Sequence, residues 1–201
     1  MSREAPAIRV IHPLWLRITH WINALAVIMM VTSGWQIYNA SPIFGFEFPR
    51  AITLGGWLGG ALLWHFAAMW LLAANGILYL VVSLATGRFG RQMFPISLRG
   101  ILTDAGMALR GTLSHADLSR YNAVQKAAYL FAITDMIVLV LSGLVVFKPV
   151  QFPILRTLMG DFDNARIVHF LAMSGLVAFV LIHVAMAALV PRTIVAMVRG
   201  R

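Results

Sequence analysis

The sequence predicts an all-α integral membrane protein, a four-helix bundle forming a single membrane domain over residues 1–201. Three observations lead there: the overall composition, four apolar runs of spanning length, and basic residues that flank those runs. Of 201 residues, 60% are hydrophobic and 11% are charged, whereas a soluble domain is about half apolar and about a quarter charged. With a mean hydropathy of +0.83, the chain cannot bury its apolar surface in one soluble core. Membrane lipid must therefore solvate much of it.

Crossing about 30 Å of hydrocarbon takes roughly 20 helical residues at 1.5 Å each. Residues 17–38, 52–85, 127–147 and 167–190 meet that length. The second run exceeds it, so it is expected to tilt or to extend beyond the hydrocarbon. The first reads as a span rather than a cleaved signal peptide. Its apolar run is too long, His20 and Trp21 stand at its start, and it has no convincing small-residue cleavage site. Connection 86–120 is the largest polar segment. Its stretch 96–113 mixes apolar and basic residues, which suits either a short interfacial helix or a solvated loop with a helical turn.

The net charge of +9 raises nucleic acid as a partner, but no basic patch sits in a soluble module. In a membrane protein the distribution reads instead as topology. The N-terminal segment (Arg3, Arg9, Arg17), the connection after the second span (Arg88, Arg91, Arg99, Arg110, Arg120, Lys126) and the C-terminal segment (Arg192, Arg199, Arg201) hold twelve basic residues. The other two connections hold four: Arg50, Lys148, Arg156 and Arg166. Positive charge stays inside, so both termini and loop 86–120 are expected in the cytoplasm. The chain has no cysteine. That excludes disulfides, thiolate-held iron–sulfur clusters, cysteine zinc sites and covalent haem attachment.

Ionisable side chains inside lipid are costly, so each one calls for a reason. Four of the six histidines, His20, His65, His169 and His183, fall in the predicted spans. His12 and His115 fall outside and receive no role. His169 and His183 are 14 residues apart, which at about 100° and 1.5 Å per residue puts them on nearly one face, about 21 Å apart in depth. His20 lies near the inner end of the first span, at the depth of His183. His65 lies nearer the outer side, at the depth of His169. A lone intramembrane histidine is as readily a hydrogen-bonded packing residue. Two facing pairs at two heights describe two non-covalent, bis-histidine haems stacked across the bilayer. A six-coordinate iron has no open position for substrate, so this arrangement implies electron transfer.

Gly34 follows His20 by 14 residues and Gly76 follows His65 by 11, each on the face of its histidine but at the other haem's depth. A missing side chain there would let a flat macrocycle approach the backbone. Helix packing is the other reading, and it is the one favoured for Gly55, Gly56, Gly59 and Gly60. Arg17 and Arg166 each precede a histidine by three residues. They are candidates to hold haem propionates, or they snorkel as ordinary helix-end cations. Asp135, the one acid deep in a span, fits a proton relay or, better, a structural hydrogen bond. Asn75 similarly fits a propionate or a neighbouring helix. The tryptophans read as interfacial anchors and packing residues.

Several of these residues recur as motifs. They are Arg17-Ile18-Thr19-His20-Trp21, Thr32-Ser33-Gly34, Trp64-His65, Tyr121-Asn122-x-x-Gln125-Lys126, and Ala165-Arg166-x-x-His169-Phe170 with a further histidine 14 residues on. Together they resemble the bacterial cytochrome b561 and nickel–iron hydrogenase b-type cytochrome superfamily, over essentially the whole chain. The resemblance implies a bacterial inner-membrane dihaem cytochrome b, with His20, His65, His169 and His183 as ligands. It also implies one haem shared by the first and last spans, and ubiquinone or menaquinone as exchangeable partner. A partner oxidoreductase subunit of molybdopterin or hydrogenase type is expected as well. Two other functions are compatible with the sequence. One is a self-contained oxidoreductase passing electrons from superoxide or another small reductant to quinone. The other is a haem-free transporter or assembly protein, although transporters usually show inverted repeats and broken helices, and neither is visible here.

Overall fold

The computed structural model describes residues 11–95, 97–109 and 122–200. His115, Tyr121 and the basic residues Arg3, Arg9, Arg110, Arg120 and Arg201 lie outside the described residues. The described chain is helical, with no strand: α1 (Leu14–Ala40), α2 (Leu58–Ala85), α3 (Arg88–Met93), α4 (Leu98–Leu109), α5 (Ala123–Phe147), α6 (Pro153–Leu158), α7 (Phe162–Leu189) and α8 (Pro191–Arg199). Four of these, α1, α2, α5 and α7, are long and apolar enough to cross a membrane. The all-α membrane class therefore holds. Two compact units form, one from described residues up to 89 and from 186 onward, the other from those between 90 and 185.

In the first unit α1 and α2 pack along their length. Asn75 Nδ2 donates to the Thr19 carbonyl at 2.8 Å and to Asn23 Oδ1 at 2.6 Å. Near the other end, Thr53 Oγ1 donates to Gln36 Oε1 at 2.6 Å and the Leu54 N–H to the Thr32 carbonyl at 3.0 Å. In lipid, interhelical bonds such as that from Asn75 contribute about 0.6 kcal/mol each on average. Of the two readings of Asn75, the helix-to-helix bond is the one observed.

The connection between α1 and α2 folds back on α1. Asn39 clamps Phe48 through both amide atoms, each at 2.8 Å, and Trp35 stacks on Phe48 at 4.8 Å. The second span begins at Leu58, six residues later than its apolar run suggested. Residues 50–52 form a single 3-10 turn, and Gly55 and Gly56 then take φ of 108° and 72°, a region closed to most side chains. The expectation that Gly55, Gly56, Gly59 and Gly60 serve helix–helix packing is thus corrected. A side chain on Gly59 would run into the Trp57 indole and one on Gly60 into the Gly55 carbonyl, so these glycines seat the turn against the start of α2.

Beyond α7, the C-terminal segment that follows the expected fourth span forms α8. Pro191 occupies its first turn and Gly200 closes it at φ 81°, its N–H bonding the Ala196 carbonyl at 2.8 Å. Proline at the start and left-handed glycine at the end are the favoured helix boundaries. Helix α8 docks on the entrance to α1: the Ile11 N–H donates to the Gly200 carbonyl at 2.8 Å, and Arg17 Nη1 to the Val198 carbonyl at 2.6 Å.

In the second unit α5 starts from a capping box. Asn122 Oδ1 accepts from the Gln125 N–H at 2.8 Å and Gln125 Oε1 from the Asn122 N–H at 3.1 Å. Asp104 on α4 accepts the next orphan donor, the Ala123 N–H, at 2.7 Å, and Lys126 Nζ reaches the Pro95 carbonyl at 3.1 Å. Such caps are each worth about 1 kcal/mol. Of the alternatives for stretch 96–113, the helix is observed over Leu98–Leu109. Residues 96 and 110–113 lie outside the described residues. A short connection through α6, braced by Arg156 on Asp161 at 2.6 Å, leads into α7.

Candidate functional site

The four intramembrane histidines each stand on a spanning helix: His20 on α1, His65 on α2, and His169 and His183 on α7. All four are half-buried. His20 meets Trp21 edge-on at 5.3 Å, and His183 stacks on Phe179, one turn earlier, at 5.9 Å.

The two histidines expected at the outer depth share a setting that the sequence reading missed. His65 Nδ1 lies 3.0 Å from Ser33 Oγ, across from α2 to α1. His169 Nδ1 lies 3.0 Å from Ser142 Oγ, across from α7 to α5, and 3.1 Å from the Leu139 carbonyl. A carbonyl only accepts, so His169 carries its hydrogen on Nδ1, and Nε2 is the nitrogen with a lone pair to offer a metal. The signal was a Ser-Gly pair, which occurs on three spans: Ser33-Gly34 and Ser142-Gly143 each face a histidine, whereas Ser174-Gly175 meets Asp135.

The glycines complete this arrangement. A Cβ on Gly34 would sit 3.6 Å from His65 Cε1, and one on Gly143 3.3 Å from His169 Cε1. Gly34 was expected to make room for a macrocycle; its immediate neighbour is the imidazole itself. Gly76 has no heavy atom within 4 Å of where its Cβ would be, so the backbone there remains approachable. Gly143 was not singled out from the sequence.

Arg17 is held by one arm, with Nη1 on α8, while its Nε is buried without a hydrogen-bond partner among the described residues. That orphaned donor fits an anionic group. Arg166 makes a long 3.9 Å pair with Asp163 on its own helix. Asp135 packs against α7, where a Cβ on Gly175 would lie 3.3 Å from Oδ1, and its Oδ2 is buried without a hydrogen-bond partner among the described residues. Outside the spans, His12 is buried against the docked C-terminal segment. Its pKa is lowered first by burial and then by Arg88, His20 and Arg17.

Half-buried histidines on spanning helices, one of them with its Nδ1 hydrogen committed to a backbone carbonyl, are the features of a membrane haem protein. The residues present fit the group. The chain belongs to the prokaryotic cytochrome b561 family, whose model matches residues 11–200. It is therefore a multi-pass membrane b-type cytochrome that binds haem and transfers electrons. It is also similar to the putative protein-methionine-sulfoxide reductase subunit YedZ1 of Azospira oryzae, at 64% identity over 200 residues and 100% of each chain.

Proposed function

We propose that this cytochrome carries electrons between a membrane quinone, ubiquinone or menaquinone, and a partner oxidoreductase, through two haems b in the bacterial inner membrane. His20 and His183 hold the inner haem, and His65 and His169 the outer one. The partner assignment leans on the relative, a putative methionine-sulfoxide reductase subunit. A molybdopterin-type or hydrogenase-type catalytic subunit remains the class to which such cytochromes attach.

The observation that carries the reading is the Leu139 carbonyl at 3.1 Å from His169 Nδ1, because it fixes the tautomer that a ligand needs. Bound haem supplies one-electron chemistry by cycling its iron between ferric and ferrous. The chain does the rest. A histidine from each of two helices would hold each haem iron. Gly76 would let the backbone approach the cofactor, Gly34 gives the His65 ring its clearance, and Arg17 and Arg166 would hold propionates at the inner and outer surfaces. The apolar spans exclude water, so charge leaves only through the partners.

Haem content per polypeptide and redox-resolved spectra of single histidine variants test this. The parent should carry two haems. His20→Ala and His183→Ala should lose one spectral component, and His65→Ala and His169→Ala the other. If His20 and His169 variants lost the same component, the two-layer assignment would be wrong.

A further inference from the structure

Ser33 and Ser142 are both fully buried, stand on different spanning helices, and each precede a glycine that faces the same imidazole. A serine has one hydrogen to donate. Ser33 Oγ gives it to the Met29 carbonyl at 2.5 Å, and Ser142 Oγ to the Val138 carbonyl at 2.7 Å. This back-bonding to the preceding turn is a usual way for serine to be satisfied in a helix. It commits the hydroxyl hydrogen within the helix and turns the oxygen's lone pairs toward the histidine. The imidazole must then supply the hydrogen of the 3.0 Å contact, from Nδ1. For His169 the Leu139 carbonyl demands the same tautomer independently.

We propose that Ser33 and Ser142 are positioning residues for the outer haem ligands. Each accepts a hydrogen bond from Nδ1–H, which fixes ring rotation and directs Nε2 to the iron. By drawing on that N–H, each makes the imidazole a stronger donor, stabilises the ferric state and lowers the reduction potential of the haem they share. The glycine after each serine provides the clearance for the ring, so the Ser-Gly pair works as one seat. The same seat occurs once in each compact unit. The inference rests on the ligand assignment above.

Ser33→Ala, Ser142→Ala and Ser33→Thr, examined by potentiometric titration and by electron paramagnetic resonance of the ferric haems, test it. Both alanine variants should keep two haems per polypeptide. Each should raise the midpoint potential of the same component, the one missing from His65→Ala, and shift its ferric resonance, leaving the other component in place. Ser33→Thr keeps an acceptor oxygen and should stay near the parent potential. Full haem with unshifted potentials in both alanine variants would overturn the proposal. So would loss of haem from both, which would make the serines mere scaffold, or shifts in different components. If instead His65→Ala and His169→Ala lost different components, the ligand pairing would fail, a result distinct from failure of the serine role.

Discussion

At the scale of single residues, the clearances beside the histidines grade what each glycine tolerates. A methyl on Gly34, 3.6 Å from His65 Cε1, is in ordinary van der Waals contact, whereas one on Gly143, 3.3 Å from His169 Cε1, forces the ring to give. Overpacking a buried site costs roughly 1–3 kcal/mol. Gly143→Ala should therefore lose outer haem during gel filtration in detergent, while Gly34→Ala should retain it. Equal retention in both would show that the space is not set by the imidazole. The histidines themselves were legible because ionisable groups in apolar runs stand out. Their serine partners were not. Buried serine is common in spanning helices, and nothing local distinguishes Ser142 from Ser174, which back-bonds to Phe170 within α7.

At the scale of elements, α8 is the addition that the sequence reading lacked. Its apolar residues Ile194, Val195 and Val198 are exposed, while Ala196 is buried against the rest of its unit. Its last carbonyls are held by the α1 entrance, where His12 lies buried with a lowered pKa. A histidine whose folded pKa lies below the ordinary 6.5 is protonated first in the undocked state. Docking should thus be complete above about pH 6.5 and weaken as pH falls toward the folded pKa. The chain has no cysteine, so a spin label on Val195→Cys reports α8 directly. Its mobility should rise on acidification in the parent and stay flat with His12→Gln added. Parallel curves would remove His12 from the docking. At α5, Asn122→Ala removes a side-chain cap and should cost about 1 kcal/mol, read as a lower unfolding midpoint in detergent.

At the scale of the whole molecule, the distribution of basic residues orients the chain. Twelve basic residues lie on the side of the termini and four on the other, so both termini should be cytoplasmic. A fluorescent reporter that matures only in the cytoplasm should glow when fused after Arg201, and a periplasmic phosphatase there should be silent. The reverse pattern would invert which haem is inner and which is outer. That orientation would leave the connections around residues 42–50 and 148–166 facing the periplasm. The first of these is held in shape by Asn39, Trp35 and Phe48, so a periplasmic partner subunit should cross-link there rather than to loop 86–120.

What the sequence determined by itself was everything that can be read along one helix: four spans, the histidines within them, the basic bias and the membrane class. Each depends only on residue type and on a fixed rise and rotation per residue. What the tertiary structure decided was what lies opposite those residues. Whether Asn75 met a propionate or Thr19, whether the glycines before Ala61 joined helices or closed a turn, and which hydroxyls faced His65 and His169 all depend on the register between segments far apart in the chain. Apolar patterning constrains that register weakly, because lipid accepts any apolar face equally well. Interhelical register is instead set by the few polar bonds and missing side chains that only one alignment satisfies.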